Sequence, residues 1–180
     1  NILYFVPRDW SLYVFHGIEN EEYVKRFVPK NTNLINLQVD NLDINYNIKG
    51  IKVAQSALFM HSNEWENFRF WDKIDAEKVL TFETDTLLLK KGIEYFLDYD
   101  YIGAPWKPGQ LYPIESDYPL VGNGGLSLRS VSAMKEVINS TNWRHPAEDC
   151  FFSIQMHMMS KYKIPVPETA KHFSVESVFY

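Results

Sequence analysis

Two carboxylates stand two residues apart in the stretch Phe82-Glu83-Thr84-Asp85, at the end of an apolar run. Residues i and i+2 of an extended segment face the same side, so Glu83 and Asp85 can converge on one ion. A hard divalent cation such as Mg²⁺ or Mn²⁺ takes carboxylate oxygens, and one or two of them suffice when substrate phosphates complete the shell. The competing reading is a polar strand end whose acids face water. Further along, Val121-Gly122-Asn123-Gly124-Gly125 leaves the backbone bare, so a ligand can approach closely and meet N–H donors. Asn123-Gly124 is equally a strong hairpin-turn signal. Glu148 and Asp149 open a third candidate, just before Cys150 and Phe151. Acids in a first helical turn complement the dipole by about 0.3–1 kcal/mol each. The same field keeps a carboxylate ionised, as a general base requires.

Other reactive side chains read as structural. His61, His145 and His172 have no ligand-like spacing and are expected at the surface or satisfied locally. Cys150 lies in an apolar helical stretch with no activating partner, which makes it a core residue. Met156, Met158 and Met159 read as core or subunit contact. Trp65, Phe68, Phe70 and Trp71 suggest packing first and a sugar-stacking platform second.

The elements that must position these residues alternate between strand and helix patterns. Trp10–His16 is aromatic and β-branched, as a buried strand is. Gly17 ends it, and Asn20 precedes a helix with Tyr23, Val24, Phe27 and Val28 on one face. Leu34–Val39 is a second strand, and residues 48 to 70 read as two helical pieces. Glu77–Glu83 is the strongest strand, with Val79, Leu80 and Phe82, and Tyr99–Pro105 is another. Lys107–Tyr118 reads as a long loop, a kind that is often functional. A turn and short strand follow at residues 121 to 130. Ser130 caps a helix carrying Val131, Met134, Val137 and Ile138, and Pro146 opens a last helix to about residue 162. This alternation predicts an α/β fold with a mostly parallel sheet flanked by helices, in one domain over residues 1–180.

Bulk composition narrows the function classes. With 46% hydrophobic residues in 180, the chain is long enough and apolar enough to fold around a sizeable core. Its net charge of −5 disfavours a nucleic-acid surface. No run approaches the roughly 18–20 apolar residues of a membrane span, and the first residues lack the pattern of a signal peptide. One cysteine excludes an internal disulfide framework and favours a reducing compartment, the cytoplasm included.

Taken in order, Trp10–Asn20, Glu77–Leu88, Tyr99–Trp106, Val121–Ser130, Glu148–Ser153 and Ala170–Ser177 resemble an uncharacterised glycosyltransferase-like domain family. More broadly the arrangement is similar to the Rossmann-like GT-A fold of nucleotide-sugar-dependent glycosyltransferases. The strings YIGAPW and GNGGLSLRS are its most specific parts. The resemblance implies that Glu83-Thr84-Asp85 occupies the place of the Asp-X-Asp motif, which holds Mn²⁺ or Mg²⁺ against the nucleotide diphosphate. Because Glu83 departs from that motif, Asp85 is the expected direct ligand. Thr84, Asp85, Asn123, Gly124 and Gly125 would bind the donor. Asp149, with Glu148 as the fallback, would be the catalytic base of an inverting enzyme. The donor would be a nucleotide sugar, a UDP-hexose by first choice, and the acceptor a glycan, protein or small-molecule hydroxyl. Related sequences carry an earlier strand and a later metal-binding His, which implies a chain trimmed at both ends. Two rivals share this pattern: a non-catalytic carbohydrate-binding or interaction module, and a nucleotidyltransferase, whose basic Gly-rich phosphate loop is not seen here.

Overall fold

The computed structural model of the protein describes residues 2–36, 47–48, 51–52, 70–83, 85–107, 121–142 and 147–176. In chain order its elements are α1 (Ile2–Phe5), β1 (Tyr13–His16), α2 (Glu21–Phe27), β2 (Asn33–Asn36), β3 (Asn47–Ile48), β4 (Ile51–Lys52), β5 (Lys78–Phe82), β6 (Tyr101–Pro105), β7 (Val121–Ser130), α3 (Val131–Ser140), α4 (Glu148–Met159) and α5 (Pro167–Ala170). The protein is mixed α/β, and its chain divides into two compact units, residues 7–75 and residues 1–6 with 76–180. No helix among the described residues is long and apolar enough to cross a membrane.

In the unit of residues 7–75, β1 and β2 pair in parallel, Tyr13 opposite Asn33 through His16 opposite Asn36. Parallel neighbours need a crossover, and α2 supplies it. Acids Glu21 and Glu22 open α2, and Lys25 and Arg26 close it, matching both ends of its dipole. Of the apolar face expected on α2, Val24 and Val28 are half-buried, while Tyr23 and Phe27 are exposed and pack on each other at 4.7 Å between centroids. Phe15 of β1 packs on Phe70 at 4.3 Å, and Phe70 meets Trp71 edge-on. Phe70 and Trp71 are therefore packing residues. Residues 47–48 and 51–52 form a short antiparallel ladder where a helix was expected to begin. The rest of that expected helical segment, with His61, Trp65 and Phe68, lies outside the described residues.

In the other unit the sheet order is β5-β7-β6, and both pairings are antiparallel. The expectation of a mostly parallel sheet is corrected here: among the described residues only β1 and β2 run parallel. Alternating strand and helix patterns do not fix direction, because β7 enters the sheet between two strands that both precede it. β7 is also longer than expected, ten residues without the turn anticipated at its start. Ser130 caps α3 as expected, its Oγ accepting from the Ala133 N–H at 3.4 Å. Val131, Met134, Val137 and Ile138 are all buried. α4 packs on β7 and is buried on several sides, with Cys150, Phe151, Phe152, Ser153, Ile154 and Met156 all enclosed. It ends earlier than expected, at Met159, where Ser160 adopts a left-handed conformation (φ 53°). The core of this unit is Tyr101, Ile102, Val121, Leu128, Met134, Val137, Phe151, Phe152 and Met156.

Candidate functional site

The end of β5 is tied to the glycine pair of β7. The Glu83 N–H donates to the Gly125 carbonyl at 3.0 Å. Thr86 Oγ1 donates to the same carbonyl at 2.8 Å, and the Thr86 N–H closes a turn back to the Glu83 carbonyl at 3.1 Å. These bonds fix where Glu83 and Asp85 leave the strand; Thr84 lies outside the described residues. Burial holds the Glu83 carboxyl above the ordinary 4.5, and the charges of Asp85, Glu148 and Asp149 push it the same way. The carboxylates at residues 83, 85, 148 and 149, far apart in sequence, therefore act on one corner of the fold.

β7 bends at that corner. Against β6, Gly103 pairs with Ser127, but the next partner, Ala104, pairs with Asn123. Residues 124 to 126 thus have no partner on β6, while Leu126 keeps its pairing with Phe82 on the other side. Such a bulge re-aims the backbone, a device found often beside functional sites. Here it sends the Gly124 N–H to Asp149 Oδ2 at 3.1 Å. The Gly125 N–H goes to Asn123 Oδ1 at 3.0 Å. Asn123-Gly124 is accordingly part of a bulged strand, and the hairpin-turn alternative is set aside. The amides of both glycines already have side-chain acceptors. Gly124 is required by close approach: a Cβ there would stand 2.6 Å from Glu148 Oε1 and 3.3 Å from Asp149 Cβ.

Glu148 and Asp149 have different surroundings. Glu148 makes a two-pronged ion pair with Arg129, Nη1 to Oε2 at 2.6 Å and Nη2 to Oε1 at 2.8 Å. Arg129 is wholly enclosed, 1% exposed against 12% for the Glu148 side chain. Its Nε donates to Ser127 Oγ at 2.7 Å, and that hydroxyl meets Thr81 Oγ1 at 2.6 Å. The guanidinium lies over the rings of Tyr101 and Phe152, 5.0 and 5.7 Å from their centroids. Burial is the largest influence on Arg129 and favours losing the proton, but Glu148, Tyr101 and Asp149 outweigh it and hold the group above its ordinary range. Asp149 has backbone partners instead, Gly124 N–H on Oδ2 and its own neighbour Cys150 N–H on Oδ1 at 2.7 Å. Cys150 is buried against Trp106 and Ile154. Burial and the charge of Asp149 push its thiol well up, as suits the core role expected for it.

Sequence reasoning did not single out Arg129 or Glu176. Burial raises the Glu176 carboxyl above 4.5, the charges of Asp149, Glu83 and Asp85 add to this, and a hydrogen bond with the Asn123 side chain partly offsets it. Nothing local in Ser174-Val175-Glu176 marks that acid as different from any other near the end of the chain. The corner therefore gathers Glu83, Asp85, Asp149 and Glu176, with Glu148 neutralised by Arg129. The negative charge that raises Glu83 and Glu176 would be relieved by a shared cation, and an all-oxygen set suits Mg²⁺ or Mn²⁺. Among the described residues, however, no group of three or more His, Cys, Asp or Glu is placed to hold a metal ion by itself. The donor set fits an ion held by one or two carboxylates and completed by phosphate oxygens and water.

A family model described as a protein of unknown function, DUF5672, matches residues 36–180, and the chain belongs to that family. No curated protein and no solved structure matches the chain.

Proposed function

We propose that this chain is a metal-dependent glycosyltransferase of the GT-A type. It moves a sugar from a nucleotide donor, a UDP-hexose by first choice, to an acceptor hydroxyl with inversion. The observation that carries the reading is the asymmetry of the Glu148–Asp149 pair beside a carboxylate corner. Arg129 occupies both oxygens of Glu148, while Asp149 is aimed by two backbone amides and keeps lone pairs for a substrate proton. Asp149 is thus the base, and Glu148 seats the first turn of α4.

Asp85 and Glu83 would hold the Mg²⁺ or Mn²⁺ ion, which when bound supplies Lewis-acid stabilisation of the departing diphosphate. The donor sugar would approach the bulge at Gly125, where only Asn123 Oδ1 lies near the missing Cβ; at Gly124 that space is taken by Glu148 and Asp149. Asp149 takes the proton of the acceptor hydroxyl. The freed oxygen attacks the anomeric carbon as the bond to the diphosphate oxygen breaks, and the nucleoside diphosphate leaves with the bonding pair. The acceptor would enter on the side of Lys107, whose following loop lies outside the described residues. The rival of a non-catalytic sugar-binding module draws on Glu83, which stands where the resembled motif carries Asp.

A thermal-shift screen of nucleotide sugars with and without Mn²⁺ tests the reading, because a ligand that binds only the native state raises its stability. One donor should stabilise the chain only when the ion is present, and Asp85→Ala should abolish that shift. Asp149→Asn should keep the shift and lose transfer. Equal loss of binding and transfer in Asp149→Asn removes that residue from the base role. Sugar affinity without turnover, with or without Mn²⁺, identifies the binding module instead.

A further inference from the structure

The segment just after the carboxylate corner exposes an apolar and basic surface that the proposed chemistry does not use. Thr86 is fixed by its hydroxyl to Gly125, and Leu88 and Ile93 are buried, each 6% exposed. Leu88 is buried between two exposed neighbours, and the chain bends at Lys90-Lys91 without regular structure. Leu87 is 66% exposed and Leu89 83%. Lys90 and Lys91 follow directly, both exposed, and no ion pair holds either among the described residues. Gly92, at φ 116°, turns the backbone, the Tyr95 N–H bonds to the Gly92 carbonyl at 3.2 Å, and the tyrosine ring lies back over Gly92 while staying 87% exposed. Lys90 and Lys91 stand together in the run from Thr86 to Ile93, which the exposed acids Asp85 and Glu94 bracket, in a chain whose net charge is −5.

We propose that this surface docks the protein on an anionic lipid bilayer. Leucines for the acyl boundary, lysines for the headgroups and a tyrosine at the level between them are what an interfacial anchor presents. Other occupants fit less well. A second copy packed on the same patch by a two-fold axis would bring Lys90 and Lys91 against their equivalents. A stable protein interface needs about 800 Å² on each side, more than two leucines and one tyrosine supply. The docking is independent of the glycosyltransferase reading. If both hold, the bilayer brings its surface to the mouth of the carboxylate corner, where a lipid-borne acceptor hydroxyl is in reach.

The test is co-sedimentation of the 180-residue chain with phosphatidylcholine vesicles, with and without phosphatidylglycerol. The wild type should sediment only with vesicles containing phosphatidylglycerol, and less as salt is raised. Leu87→Ser with Leu89→Ser should lower the partition coefficient roughly tenfold or more, since a single fully buried leucine already accounts for about that factor. Lys90→Glu with Lys91→Glu should lower it roughly twentyfold or more, at about 1 kcal/mol for each lysine near an anionic surface. All four side chains are exposed, so circular dichroism should show an unchanged fold. Asp149→Asn should sediment like the wild type, which separates docking from catalysis. Equal sedimentation with neutral and anionic vesicles overturns the proposal, as does partitioning that neither double variant alters. A change of oligomeric state in the leucine variant also overturns it and assigns the patch to a contact between copies.

Discussion

Arg129→Met is the substitution that most directly tests how the corner is built. It removes two charge-assisted hydrogen bonds, at 2.6 and 2.8 Å, from a carboxylate that is largely but not fully buried. Ser127 would not be stranded, because its hydroxyl keeps Thr81 Oγ1 at 2.6 Å. The cost is therefore that of an uncompensated charge at Glu148 plus the lost contact with the Tyr101 and Phe152 rings. Breaking a buried pair from one side costs about 3–5 kcal/mol. Against a typical total of about 5–15 kcal/mol, this loss takes a large share of the stability. Arg129→Lys keeps the charge but cannot form the fork, and should recover only a minor part. The double variant Arg129→Met, Glu148→Met removes both charges and fills similar volume, so it should return to within about 2 kcal/mol of the wild type. Urea unfolding of the wild type, both Arg129 singles, Glu148→Met and the double reads these values, with the slopes checking that one transition is compared throughout. A loss below about 1 kcal/mol in Arg129→Met, or a double variant whose cost is the sum of its singles, refutes the coupling.

The same corner yields further expectations. Alanine at Gly103, Gly124 and Gly125 should lower the melting temperature in that order. A Cβ at 103 overlaps the Asn123 backbone, one at 124 meets Glu148 at 2.6 Å, and one at 125 meets only the Asn123 side chain at 3.3 Å. Tyr101→Phe strands the buried Gly122 carbonyl that its hydroxyl bonds and should cost about 1–3 kcal/mol in the same assay. The raised carboxyl of Glu83 means that the folded form holds the proton more tightly than the unfolded chain does. Its contribution is favourable at pH below the ordinary 4.5 and is lost as pH rises through the raised value. Glu83→Gln should therefore melt higher than the wild type at neutral pH, and the gap should shrink in acid. Mn²⁺ should stabilise the wild type more than Glu83→Gln, since the ion relieves repulsion that the variant no longer has.

Much of the fold was legible because its signals are local. Val79, Leu80 and Phe82 mark β5, the Ser130 side chain announces α3, and the apolar run from Cys150 marks α4. Strand direction was not legible, because it depends on the path by which β7 reaches its place between β5 and β6. The bulge was hidden for a related reason. Asn-Gly-Gly carries the same local preferences in a turn and in a bulge, and the choice is made by distant partners, Gly103 on one side and Asp149 on the other.

Arg129 shows how far this goes. In Leu126-Ser127-Leu128-Arg129 the pattern is that of a strand with leucines inward and polar residues in water. The fold buries both faces, because α4 covers the second one, and the arginine is tolerable there only because Glu148 arrives with that helix. The adjacent acids Glu148 and Asp149 of α4 are equivalent as sequence, and Arg129 of β7 tells them apart. Once Arg129 has taken Glu148, Asp149 is the member of the pair without an ionic partner, which is why the proposed function assigns it the base role. A charge reversal at this pair tests the logic at its source: Arg129→Glu with Glu148→Arg restores opposite charges in the same cavity. The swap should nonetheless fold less stably than the wild type, because the fork would then start from the helix and lose its bond to Ser127 Oγ and its seat on Tyr101. Wild-type stability in the swapped protein would mean that the pair acts by charge alone, and the geometric assignment of Asp149 would then lose its support.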